Sequence, residues 1–165
     1  FHPHNDSIDL GLNNCKIESN SIFINNVLST FPNTENLALM STDAGGFKPL
    51  MKLCKELNWE GKTFSASKSR SYENGSSVLT QTLPQNDFYG KDILIIDDIC
   101  VYGGTFLGLA KKLKECNCGR LFLAVSHITV EHPNAELNYM FDKIFTTNSK
   151  NLNWDLTNLE VIKLF

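Results

Sequence analysis

Ile93-Leu94-Ile95-Ile96-Asp97-Asp98-Ile99-Cys100-Val101-Tyr102-Gly103-Gly104-Thr105 carries the strongest structural signal in the chain. Its first four residues are apolar and mostly β-branched, the pattern of a central parallel strand buried on both faces. The strand is expected to end in two acids. Gly103 and Gly104 then permit a turn that presents backbone N–H groups, and Thr105 is expected at the N-cap of a helix through Phe106-Leu107-Gly108-Leu109-Ala110-Lys111-Lys112-Leu113.

A helix N-terminus bears about half a positive charge and several unpaired donors, so a phosphate monoester there is held by geometry as well as by field. Asp97 and Asp98 would repel that phosphate if they touched it. They are better suited to sugar hydroxyls or to a metal alongside, and the stretch reads as a sugar-phosphate site.

Working outward, 165 residues suit one domain, 1–165, with a core that needs no staples. With 42% hydrophobic and 20% charged residues the composition is ordinary for a globular protein. A formal net charge of -3 gives no electrostatic reason to expect nucleic acid or an anionic membrane as partner. No apolar run approaches the ~18 residues of a spanning helix. Cys15, Cys54, Cys100, Cys116 and Cys118 show no CxxC pairing and read as reduced thiols of a cytoplasmic protein. Phe1 opens the chain without a signal pattern, so the start reads as trimmed or processed.

The rest of the chain alternates strands with helices. Asn20 to Leu28 reads as a short strand or a helix approach. Leu37-Ala38-Leu39-Met40 is a buried strand ending in Ser41-Thr42-Asp43-Ala44-Gly45-Gly46, and Phe47, Leu50, Met51, Leu53, Cys54 and Leu57 follow at helical spacing. Asp43 suits an N-cap there. Thr63 to Ser67 reads as a third strand, Lys68 to Ser77 as a polar, mobile stretch with cations at its start, and Val78 to Leu83 as the return of a hairpin. Arg120 to His127 is a further buried strand, Pro133 to Phe141 a short helix, Lys143 to Ser149 a strand with a polar end, and Leu159 to Phe165 the last strand. This order predicts an α/β fold, a mostly parallel sheet flanked by helices with its site at the carboxyl ends of the strands.

The strand, Asp97-Asp98, the short loop and Gly103-Gly104-Thr105 together resemble the phosphoribosyl diphosphate loop of phosphoribosyltransferase-fold (type I) proteins. The form Asp-Asp-Ile-Cys-x-x-Gly-Gly-Thr-Phe is most similar to ribose-phosphate diphosphokinases. The resemblance runs from His4-Asn5-Asp6 to the last strand and covers the C-terminal half of such an enzyme. It implies that Ile99, Cys100, Val101, Tyr102, Gly103, Gly104 and Thr105 hold the 5-phosphate of ribose 5-phosphate or phosphoribosyl diphosphate, with Asp97 and Asp98 on the 2- and 3-hydroxyls. It implies Mg²⁺ as cofactor with His4 and Asp43 as its neighbours, and Lys68 and Arg70 as catalytic cations on a flexible hairpin that closes over the site. Ser126-His127 matches the family's Thr-His, which leaves His127 either a core or supporting residue or a catalytic one. Val101-Tyr102 depart from the residues usual in that loop, and Tyr102 could narrow the phosphate site or stack on a ligand.

The implied reaction is attack of the anomeric hydroxyl on the β-phosphorus of Mg-ATP, giving phosphoribosyl diphosphate and AMP in nucleotide biosynthesis. ATP would be held largely by an N-terminal half that this sequence does not contain, and family analogy implies a homo-oligomer. Two alternatives stand beside it: a phosphoribosyltransferase acting on a nucleobase, and a non-catalytic binding or assembly domain of the same fold.

Overall fold

The computed structural model describes residues 19–73, 76–129, 134–150 and 156–164. Its main sheet is six-stranded in the order β2-β1-β5-β6-β7-β8, and every neighbouring pair is parallel. These strands are β1 (Leu37–Ser41), β2 (Thr63–Ser65), β5 (Asp92–Cys100), β6 (Leu121–Ile128), β7 (Lys143–Thr147) and β8 (Leu159–Ile162). β3 (Ser67–Glu73) and β4 (Ser76–Thr82) form a separate antiparallel hairpin.

Side chains alternate across a strand, so the apolar run of β5 serves two layers. Ile93 and Ile95 join one buried cluster with Leu109, Ala110 and Leu113 of α3 (Gly104–Glu115). Leu94 and Ile96 join the other, with Phe23, Ile24 and Val27 of α1 (Asn20–Ser29) and Leu50 and Leu53 of α2 (Ala44–Glu56). The sheet is thus sandwiched, as the sequence predicts.

Several boundaries differ from expectation. Asn20 to Leu28 is helix, because Ser19 Oγ accepts from the Ser21 N–H at its start and Phe23, Ile24 and Val27 share one buried face. β5 does not end at the acids. It continues through Asp97 and Asp98 to Cys100 because β6 extends alongside, pairing Ile99 with His127 and Cys100 with Ile128. The third strand stops at Ser65; Ala66 is buried and donates its N–H to the Ser41 carbonyl, and Ser67 already begins the hairpin. The short helix α4 spans only Leu137–Met140. The polar Lys68 to Ser77 stretch is mostly paired, with register running from Ser67 opposite Thr82 to Glu73 opposite Ser76. His4 and Cys15 lie outside the described residues. Among the described residues no helix is long and apolar enough to cross a membrane.

Candidate functional site: a helix N-terminus beside a half-buried carboxylate

β1 and β5 are parallel neighbours, with Ser41 beside Ile96. One residue further on, the Thr42 hydroxyl donates to Asp97 Oδ2 at 2.7 Å. The Asp98 backbone N–H donates to Asp97 Oδ1 at 2.9 Å, so both oxygens of this carboxylate are held. Burial pushes the Asp97 carboxyl up to about 6, the nearby Asp98 carboxyl adds to the rise, and the Thr42 and Asp98 N–H bonds oppose it. At neutral pH Asp97 is an oriented acceptor of hydrogen bonds, close to its protonation range.

After β5 the chain turns at Gly103, whose φ of 84° lies in the left-handed region. Gly103, not Thr105, is the N-cap of α3, and it supplies no side-chain cap. The expectation for Thr105 fails because the helix starts two residues earlier than an N-cap at Thr105 implies, placing Thr105 inside the first turn. The first-turn N–H groups of α3 thus receive no side-chain cap from Gly103, a condition that an anion site at a helix N-terminus requires. A Cβ at Gly103 would also lie 2.8 Å from Leu137 Cδ1, so the turn packs directly onto α4.

The hairpin reaches this helix start. Lys68 Nζ donates to Thr105 Oγ1 at 3.4 Å, and Gln81 Nε2 donates to the Thr105 carbonyl at 3.0 Å. The Lys112 ammonium in turn donates to the Gln81 carbonyl. Gly108 leaves the space that Gln81 fills, since a Cβ there would meet Gln81 Oε1 at 2.6 Å. Arg70 sits on β3 opposite Leu79.

Among the other expected residues, Ile99 is half-buried and Cys100 is 1% exposed. Burial first, and then the Asp97 charge, push the Cys100 thiol up to about 12, which keeps it protonated and unreactive. Val101 and Tyr102 are exposed, Tyr102 by 71%, so the tyrosine stands in solvent at the rim of the turn. Gly104 is exposed at the first helical position.

Asp43 is the N-cap of α2, accepting from the Gly46 N–H at 3.0 Å through Oδ1. Ser41 Oγ and Ser65 Oγ both donate to its carbonyl, at 3.0 and 3.1 Å, which ties the turn to β1 and β2. His127 Nδ1 lies 2.9 Å from Ser149 Oγ at the polar end beyond β7. The structure thus brings Asp97, Asp98, Lys68 and Thr105 to one end of the sheet and gives Asp43 a capping contact. His4 is outside the described residues.

Thr42 and Gln81 were not singled out by sequence reasoning. Thr42 is 4% exposed, and its only sequence signal is a hydroxyl one residue past a buried strand. Gln81, also 4% exposed, is a polar residue in the hairpin's return strand, and nothing local distinguishes it from a solvent-facing one. Among the described residues no group of three or more His, Cys, Asp or Glu side chains is placed to hold a metal ion by itself.

Comparison with known proteins agrees with this geometry. The phosphoribosyl transferase domain model matches residues 14–159. A ribose-phosphate pyrophosphokinase of Chlorobaculum tepidum is 30% identical over 117 residues, which cover 70% of this chain and 35% of that protein. The chain spans between 30% and 41% of the length of the curated relatives it matches. The phosphoribosylpyrophosphate synthetase of Mycobacterium smegmatis superposes with a TM-score of 0.65 at 16% identity, over 87% of this chain and 46% of that one. A hypoxanthine phosphoribosyltransferase of Staphylococcus aureus superposes with a TM-score of 0.54 at 13% identity, over 98% of this chain and 83% of that one. With a family model covering most of its length, the chain belongs to the phosphoribosyl transferase domain family and, within it, resembles the ribose-phosphate pyrophosphokinases.

Proposed function

We propose that this chain is the ribose-phosphate-binding domain of a ribose-phosphate diphosphokinase, corresponding to the C-terminal half of such an enzyme. The observation that carries the reading is the pairing of an uncapped helix N-terminus at Gly103-Gly104-Thr105 with the held carboxylate of Asp97 at the adjoining strand end. One end suits a phosphate monoester, the other suits sugar hydroxyls, and a pentose 5-phosphate joins the two chemistries in one molecule.

In this reading the first-turn N–H groups and Thr105 hold the 5-phosphate, and Asp97 and Asp98 accept from the 2- and 3-hydroxyls. The anomeric hydroxyl is then presented to the β-phosphorus of ATP, and AMP leaves. Lys68, whose ammonium already reaches Thr105 Oγ1, and Arg70 on the same hairpin supply positive charge to the phosphates. Catalysis of this kind is positioning and charge neutralisation, and no protein nucleophile is needed.

The donor set fits Mg²⁺, which prefers hard oxygens and usually binds through one or two carboxylates together with substrate phosphates and water. Asp43 retains acceptor capacity beyond its cap to Gly46, and His4 is its proposed companion. The ion would neutralise diphosphate charge. Its shell would come mainly from substrate, in keeping with the sparse acidic set described above.

The test is calorimetric titration of ribose 5-phosphate, and of phosphoribosyl diphosphate with Mg²⁺, into the chain and into Asp97→Asn/Asp98→Asn. AMP formation from ATP is followed on the same samples and on the chain fused to the N-terminal part of the Chlorobaculum tepidum relative that it does not match. Binding that the double variant loses supports the site, and AMP release by the longer protein supports the reaction. Turnover of phosphoribosyl diphosphate with a nucleobase but none of ATP would replace the proposal with a phosphoribosyltransferase. No binding of either sugar phosphate would sink it.

A further inference from the structure

We propose that Thr42 is a positioning residue for sugar recognition: its hydroxyl, donating to Asp97 Oδ2 from the neighbouring strand end, sets the rotation of the carboxylate that accepts from a ribose hydroxyl. This role rests on the reading of Asp97 as a sugar-hydroxyl acceptor. Thr42 itself is almost fully buried and touches the carboxylate from the residue just past β1, a segment that carries no part of the Gly103-Gly104-Thr105 turn.

The geometry gives the side chain a defined task. A carboxylate has about four lone-pair sites, and Asp97 spends one on each oxygen, to Thr42 and to the Asp98 N–H. These two bonds fall on opposite oxygens, so together they resist rotation about the Cβ–Cγ bond, and the Asp98 side chain bears on the same carboxyl group. A carboxylate held this way meets an incoming hydroxyl without reorganising. Without the Thr42 donor only one oxygen is pinned, and the group turns about that bond.

Charge follows geometry. The Thr42 hydrogen bond favours the ionised form of Asp97 against the burial that disfavours it. On its own strand the Asp98 carboxyl raises Asp97, and the Asp97 charge in turn raises the Cys100 thiol. Asp43 after β1, Lys68 on the hairpin and His127 at the end of β6 are the ionisable groups that the adjoining elements bring to this end of the sheet. Removing the Thr42 donor leaves all five in place, so a change in the pH dependence of binding would report on this hydrogen bond.

The experiment measures ribose 5-phosphate and, separately, inorganic phosphate binding at pH 8 and pH 6 for the natural chain, Thr42→Val, Thr42→Ala and Thr42→Ser. Thr42→Val keeps the shape and removes the donor; Thr42→Ala repeats the deletion should the valine disturb folding. The hydroxyl-free variants are expected to bind ribose 5-phosphate about tenfold more weakly at pH 8, the worth of one charge-assisted hydrogen bond, with a larger loss at pH 6. Inorganic phosphate, which sees only the cradle, should bind as before, and Thr42→Ser should recover most of the sugar-phosphate affinity. Equal ribose 5-phosphate binding by the natural chain and the hydroxyl-free variants at both pH values overturns the role. So does a parallel loss of inorganic phosphate, or a serine variant as weak as valine. If the natural chain binds phosphate but not ribose 5-phosphate, the sugar-phosphate reading itself fails and takes this role with it.

Discussion

The Gln81 side-chain amide donates to the Thr105 carbonyl at 3.0 Å, joining the return strand of the hairpin to the first turn of α3. Lys68, the direct cross-strand partner of Gln81, reaches the Thr105 hydroxyl, so one residue of α3 is held by both strands of the hairpin. The hairpin and the start of α3 are therefore one mechanical unit.

Gln81→Leu should loosen that unit. The substitution keeps bulk but deletes a buried hydrogen bond, for an expected loss of about 1 kcal/mol in stability. Hydrogen exchange of the hairpin amides should quicken while exchange in β5 and β6 stays slow. Unchanged protection across residues 67–82 would show that Lys68 and the hairpin's own ladder suffice.

Gly103→Ala should damage both fold and binding. The residue has φ of 84° and its new Cβ would meet Leu137 at 2.8 Å, so strain and collision act together. A stability loss of about 2 kcal/mol is expected, as for other non-glycine residues forced into the left-handed region against a packed neighbour. Phosphate affinity should fall with it, read by calorimetry on the folded fraction.

Asp97→Asn should stabilise the protein at high pH while abolishing sugar-phosphate binding. The folded-state value of about 6 lies above the ordinary 3.8, so the stability linked to protonation is fully present below pH 4 and is lost as pH rises through 6. Removing the charge should therefore raise stability by about 2 kcal/mol at pH 8 and by nothing near pH 3.5. Thermal melts at the two pH values check the sign; a variant less stable at pH 8 would mean that the Thr42 and Asp98 bonds outweigh the burial.

Asp92→Asn serves as a control at the opposite end of the sheet. Asp92 accepts from the Arg120 backbone N–H at 2.8 Å and from its guanidinium at 2.7 and 3.1 Å, anchoring the start of β5 to β6. Arg120 is largely exposed, which limits the worth of the pair, so a loss of about 1–2 kcal/mol is expected. Ribose 5-phosphate affinity should not change, since the lesion lies at the start of β5, five residues before Asp97 and about 17 Å away along the strand.

Much of this architecture was legible in the chain itself. Ile93 to Ile96 announced a strand buried on both faces because only a central parallel strand can hide four such residues in a row. Gly103-Gly104 announced a turn into a helix because no other residue takes a left-handed conformation against Leu137 so readily. The acidic and glycine-bearing turns could be placed at one end of the sheet from the order of elements, whereas the hairpin cations were expected there only from the family resemblance.

What the chain did not reveal locally were contacts between segments distant along it. Thr42 and Asp97 are 55 residues apart, and only the parallel pairing of β1 with β5 sets their side chains within a hydrogen bond. The extension of β5 past Asp97 depended on β6 running alongside as far as Ile128, and Gln81 became an anchor only once α3 offered Gly108 as space. Local propensity and periodicity determined which segments became strands, turns and helices. The ionisation of Asp97 and the hold on its two oxygens were decided by tertiary structure, because burial and cross-strand donors arise only when separate segments meet.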